Sequence, residues 1–145
     1  MAIKKCVKAE TVLAASLLNN QAVAETIVKY FPEQTIILVC AGSSNRFALE
    51  DAYGAGHLIT CLHAIHSFEL TDASISAKAV YPFYEQQSLE VLKSSAVKKM
   101  MIQYGYENEL HFVSQKNIFS TVPVLMDEQL LRIEDVLTKK RSHAK

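Results

Sequence analysis

TIILVCAGSSNRFALEDAYGAG, from Thr35 to Gly56, is the stretch on which the expected architecture rests. Thr35–Cys40 is apolar and rich in β-branched side chains, the pattern of a short strand covered on both faces. Ala41 to Asn45 supplies turn-forming residues, and Glu50 with Asp51 then opens a helical pattern. Strand, small-residue loop and helix in that order make an α/β unit. In open α/β sheets, ligands sit in the crevice beyond the carboxyl end of such a strand. A site in this protein is expected there.

Upstream, Thr11–Ser16 reads as a short inner strand. Asn19 or Asn20 is positioned to cap a helix to about Tyr30, with Ala22, Val23, Ile27 and Tyr30 on its buried side. Pro32 stops that helix before the strand at Thr35. This β-α-β order predicts a parallel pair joined by a right-handed crossover.

Downstream, a helix is expected from about Leu49 to His66, striped by Leu49, Ala52, Tyr53, Ile59 and Leu62. Gly54 and Gly56 would allow close packing against it. Thr71-Asp72 can cap a helix that runs through Tyr81 and breaks at Pro82. Ser88–Tyr104 is helical in pattern and stops at Gly105 in the manner of a C-cap. Leu110–Val113 and Thr121–Val124 read as short extended segments, and Asp127–Leu137 as a final amphipathic helix. Met1–Lys8 is expected to be a short helix or a frayed end. The expectation is a three-layer α/β/α fold with a mainly parallel sheet, one domain over residues 1–138 and a disordered basic tail over 139–145.

At 145 residues the chain suits one domain with a real core. Fifteen acidic residues balance fifteen basic ones, so no field for nucleic acid or a membrane surface is implied. No apolar run approaches the roughly 20 residues a membrane span needs. Three cysteines without CxxC spacing argue against a disulfide framework and for a reducing cytoplasm.

Four features could carry chemistry. Adjacent carboxylates Glu50 and Asp51 could hold a hard cation such as Mg²⁺, although acids in a first helical turn also complement the helix dipole. Gly42, Ser43 and Ser44 present amides and hydroxyls at a helix N-terminus, suited to phosphate or simply to turning the chain. Cys40 and Arg46 match the C-x5-R spacing of cysteine-dependent phosphatases, in which a thiolate attacks phosphorus. Against that reading, Phe47 follows the arginine where Ser or Thr is usual, and the chain has no Asp-Pro. His57, His63 and His66 share a helix but lack a third convergent ligand, so partly exposed helix residues are the plainer reading. Asn20 and Asn117 are candidates by position only.

Taken together, VLAASLLNNQAVA (Val12–Ala24), ILVCAGSSNRFALEDAYGAG (Ile37–Gly56), LTDASISA (Leu70–Ala77), Gly105 and Val122-Pro123 resemble the 2-phosphosulfolactate phosphatase family of coenzyme M biosynthesis. The likeness is to that family's C-terminal half, since no D-V-L-R-A-S-T-like or T-T-N-G-T segment is present. The resemblance implies Mg²⁺-dependent hydrolysis of a small 2-phospho acid. It places Asn20, Gly42, Ser43 and Asn45 near substrate phosphate, with Glu50 and Asp51 as metal or acid–base groups. Where this chain has Ala48 the family often has Ser, which with Asp51 would form a capping box. An apolar face left uncovered by a missing half predicts a homo-oligomer. A non-catalytic fold remnant or interaction module is the alternative.

Overall fold

The computed structural model describes residues 5–6, 8–42 and 46–143, the side chains of Val97 and 139–143 excepted. Most of Met1–Lys8 therefore lies outside the described residues. The elements run α1 (Asn20–Tyr30), α2 (Leu49–Ile65), α3 (Asp72–Phe83), α4 (Ser88–Ser94), α5 (Ala96–Gln103), a 3₁₀ turn (Glu107–Glu109), α6 (Leu110–Val113), β1 (Pro123–Met126), β2 (Gln129–Arg132) and α7 (Ile133–His143).

Helix α2 is the centre of the packing because it is apolar around much of its circumference. Ala52, Tyr53, Leu58, Ile59, Cys61 and Leu62 are all buried, and it packs against α1 on one side and α3 on the other. Gly56 makes the second contact possible: a Cβ there would collide with the Ala77 carbonyl of α3 and stand 3.0 Å from Tyr81 Cβ. One apolar cluster joins Val23, Ala24 and Ile27 of α1 to Leu58, Cys61 and Leu62 of α2, with Val122, Val124 and Ile133. A second gathers Leu17, Tyr53, Tyr81 and Val91.

Local signals set most helix ends. Thr71 caps α3, its hydroxyl accepting from Ser74 N–H at 3.3 Å. Pro82 sits inside the last turn of α3, one residue before the helix stops. The helix expected over Ser88–Tyr104 is interrupted at Ser95, where the backbone is extended (ψ 170°). Gly105 (φ +77°) ends α5 in a Schellman arrangement, with Gly105 N–H bonding Ile102 O and Tyr106 N–H bonding Met101 O.

The cap of α1 is not the expected one. Asn19 makes no side-chain cap bond; its Oδ1 accepts from Ser16 N–H and its Nδ2 donates to Ala14 O and Thr121 O. The first turn is capped instead by Asn117, whose Oδ1 accepts from Gln21 N–H at 2.9 Å from a left-handed backbone (φ 57°).

The fold is α/β, with helices and a small antiparallel sheet; the described residues form no parallel ladder. β1 and β2 pair in register Pro123↔Arg132 through Met126↔Gln129. They are joined at Asp127-Glu128, both with positive φ, as a two-residue hairpin loop requires. The helix expected from Asp127 is thus a turn, a strand and then α7, which continues to His143 into the stretch read as a basic tail. Leu110–Val113, expected to be extended, forms α6.

Thr11–Ser16 joins β1 through an isolated antiparallel bridge, Leu13↔Val124, flanked by Ala14 N–H to Pro123 O and Leu125 N–H to Val12 O. Thr35–Cys40 is assigned to no strand. Its Ile36 and Leu38 rest on the core, whereas Ile37 is 79% and Val39 52% exposed. A run apolar at every position cannot reveal from sequence that only alternate residues find cover.

Candidate functional site

Between Thr11–Ser16 and Thr35–Ala41 lies a cleft of about 860 Å³ whose lining includes Asn20, Val23, Leu58, Glu50, Asp51 and Gly54. Three residues expected at a site, Asn20, Glu50 and Asp51, therefore meet in one concavity, with Cys40 on its wall. Ser43 and Asn45 lie outside the described residues.

The geometry around α2's first turn is asymmetric. Gly42 adopts φ +70°, and a Cβ there would stand 2.9 Å from Arg46 O, so this turn favours glycine. Its N–H donates to Asp51 Oδ2 at 2.5 Å. Ala48 at the N-cap offers no side-chain acceptor, and Asp51 instead ties the loop to the helix. Glu50 differs: its Oε2 is buried and has no hydrogen-bond partner among the described residues. An unpaired carboxylate oxygen in a cleft is a costly arrangement unless a donor or a cation meets it. Mg²⁺ is commonly held by one or two carboxylates with water and phosphate oxygens completing its shell, so Glu50 and Asp51 fit that need. Among the described residues, no three His, Cys, Asp or Glu side chains gather as a metal cage.

Asn20 sits deeper, 1% exposed. Its Nδ2 donates to Gly54 O and to His57 Nδ1, both at 3.0 Å. With Nδ1 accepting, the imidazole proton is assigned to Nε2, which donates to Cys61 Sγ at 3.5 Å. His57 also stacks on Tyr81 (centroids 5.0 Å apart). Burial first, and then the charge of Lys116, push its pKa down to about 4. His57 is thus a neutral core residue rather than a partly exposed one. His63 is also lowered, by burial and then by Lys78, whose Nζ lies 3.3 Å from Nδ1, while His66 is exposed. The three histidines do not converge.

No local sequence signal links Lys116, Tyr81, Tyr53 and Ser88 to one another. Lys116 Nζ donates to Glu85 O and to Tyr81 OH (3.2 Å), and lies over the Tyr81 ring. Tyr53 OH bonds Ser88 Oγ (2.8 Å) and Tyr84 O. Only folding brings residues this far apart in sequence into contact. Cys40 is exposed as a residue, yet loss of water around its sulfur, and then Asp51, raise its thiol pKa. A nucleophilic thiolate requires the opposite shift.

The carboxylate pair Glu50-Asp51 on the cleft and the Gly42 turn thus stand together at the N-terminus of α2 in an α/β chain. The sequence model of one family, described as 2-phosphosulpholactate phosphatase, matches residues 1–128. The chain belongs to that family. A probable 2-phosphosulfolactate phosphatase of Thermotoga maritima is 34% identical over 121 residues, covering 83% of this chain and 51% of its own length. Probable 2-phosphosulfolactate phosphatases of Caldanaerobacter subterraneus and Clostridium perfringens are each 31% identical, over 86% and 96% of this chain and 51% and 55% of their own. The chain spans about half the length of the curated relatives it matches. Among the described residues, no helix is long and apolar enough to cross a membrane.

Proposed function

We propose that this chain carries the phosphate-handling part of a Mg²⁺-dependent phosphatase acting on a small 2-phospho acid, in the cytoplasm. The observation that carries this reading is the unpartnered, buried Glu50 Oε2 beside Asp51 in a cleft next to the Gly42 turn, in a chain of the 2-phosphosulpholactate phosphatase family. Glu50 Oε2 and the second oxygen of Asp51 would hold the ion, which when bound neutralises phosphate charge. The Gly42 turn would face the phosphate oxygens, and Ser43 and Asn45 are assigned to the same role by the resemblance to the family alone. Asn20 acts from behind, fixing Gly54 and His57 so that α2 presents its first turn rigidly. In hydrolysis a water oxygen would bond phosphorus as the phosphorus–ester oxygen bond breaks, and a carboxylate would take one proton from that water and pass it to the leaving oxygen, giving phosphate and the 2-hydroxy acid. The three-layer, mainly parallel sheet expected from sequence belongs to the same proposal.

The test is phosphate release from 2-phosphosulfolactate with Mg²⁺ and after EDTA, in wild type and Glu50→Gln. Turnover that falls at least about 100-fold with either change supports the reading, a loss typical of removing a key electrostatic group. Turnover indifferent to both would overturn it. A folded protein that shows neither turnover nor Mg²⁺-induced shifts in the amide spectrum of Glu50 and its neighbours would leave the non-catalytic interaction module. The thiolate alternative through Cys40 and Arg46 loses support from the raised thiol.

A further inference from the structure

We infer that the cleft is a strand-acceptor site, and that its occupant is a β-strand from the portion of the relatives' length that this chain does not span. The inference rests on backbone pairing and on the extent of the match, not on the phosphatase reading.

On one wall, Val12 O and Ala14 N–H point toward β1, where they bond Leu125 and Pro123. Antiparallel pairing alternates, so the backbone groups of Thr11, Leu13 and Ala15 point the other way. Those three residues line the cleft. On the opposite wall, Thr35–Cys40 makes no backbone hydrogen bond with any described residue. Its alternation, with Ile36 and Leu38 inward and Ile37 and Val39 outward, is that of a strand. The floor between the walls is apolar, from Val23, Ile27 and Leu58. Unpaired main-chain edges on two sides of an apolar floor suit an inserted strand, which would gain a ladder on each edge.

Among the described residues, the segment of a second copy with unpaired edges is Thr35–Cys40, and it already forms a wall of that copy's own cleft. An inserted strand needs two free edges, and β1 is already flanked by β2 and by Leu13. Its partner β2 has one free edge, because the other holds β1. The relatives, in contrast, carry about half of their length beyond the matched region. That additional chain is the occupant the page supports. It would also cover Ile37 and Val39, which face outward beside the cleft.

The experiment co-expresses this chain with the unmatched half of the Thermotoga maritima relative and follows assembly by light scattering and hydrogen exchange. A 1:1 complex is expected, with amide exchange slowed at least tenfold at Thr11, Leu13, Ala15 and across residues 35–40. Ala15→Pro removes one N–H that faces the cleft at an exposed position and should weaken the complex at least tenfold. The free variant should keep the wild-type circular dichroism. Val39→Pro makes the same test on the other wall. Three outcomes would overturn the inference: no complex, a complex that protects other amides only, or protection of these amides by self-association of the chain alone. An apolar small molecule retained in the cleft by native mass spectrometry would do so as well. A complex without phosphate release would leave the inference standing and count only against the catalytic reading.

Discussion

Lowering the pH should unfold this protein through His57. The imidazole is 4% exposed and accepts Asn20's amide at Nδ1. Protonating it would set two donors against each other and place a cation near Lys116, whose charge already acts on it. The other groups in contact are the rings and side chains of Tyr81, Cys61 and Asn117, and none of these brings a negative charge. The pKa falls from 6.5 to about 4 on folding. Because the folded value is the depressed one, the unfolded chain binds the extra proton between those limits. Stability is therefore complete above pH 6.5 and is lost as pH falls toward 4. At about 1.4 kcal/mol per pKa unit the full shift is worth about 3 kcal/mol. Residual solvent screening of the Lys116 contribution reduces the expected loss to about 2 kcal/mol. Urea unfolding from pH 7.5 to 4 in wild type and His57→Gln isolates it, since the carboxylates titrate in both. The wild-type curve should lose about 2 kcal/mol more than the variant. Identical pH dependence, or an imidazole that titrates above pH 6 by NMR in the wild type, would refute the reasoning.

Gly56→Ala should cost about 2–3 kcal/mol, because the added methyl meets the Ala77 carbonyl and no flexible group can give way. Gly54→Ala, with open space at its Cβ, should instead stabilise by about 0.5–1 kcal/mol as an ordinary helix substitution; thermal melts distinguish the two. Asn117→Gly loses only the remote cap of α1 and should cost about 1 kcal/mol. Asn117→Ala adds the left-handed backbone penalty and should cost about 2 kcal/mol in urea unfolding. Cys40, with its raised thiol pKa, should react with iodoacetamide at pH 7 more slowly than free cysteine. Cys40→Ser should leave any Mg²⁺-dependent turnover within about twofold.

The family was legible in the sequence, because a long ordered run of motifs survives in a single chain. So were α1, α2 and α3, whose apolar spacing, with the Thr71 cap of α3, acts over a few residues. The pair Glu50-Asp51 could be placed at a helix start beside a glycine turn, but their different environments could not. Asp51 is engaged by Gly42, whereas Glu50 Oε2 has no partner among the described residues. Long-range contacts decided the rest. Asn19 became a clip to Thr121, and Asn117, far along the chain, took over the cap of α1. His57 moved into the core because α3 covers that face of α2. The sequence by itself determined the family and helices α1, α2 and α3, since propensity, capping and spacing are local. Tertiary structure alone decided that Thr35–Cys40 stands beside an open cleft rather than inside a parallel ladder. A strand's partners are fixed by hydrogen bonds to remote chain, and an all-apolar run carries no record of which neighbour will make them.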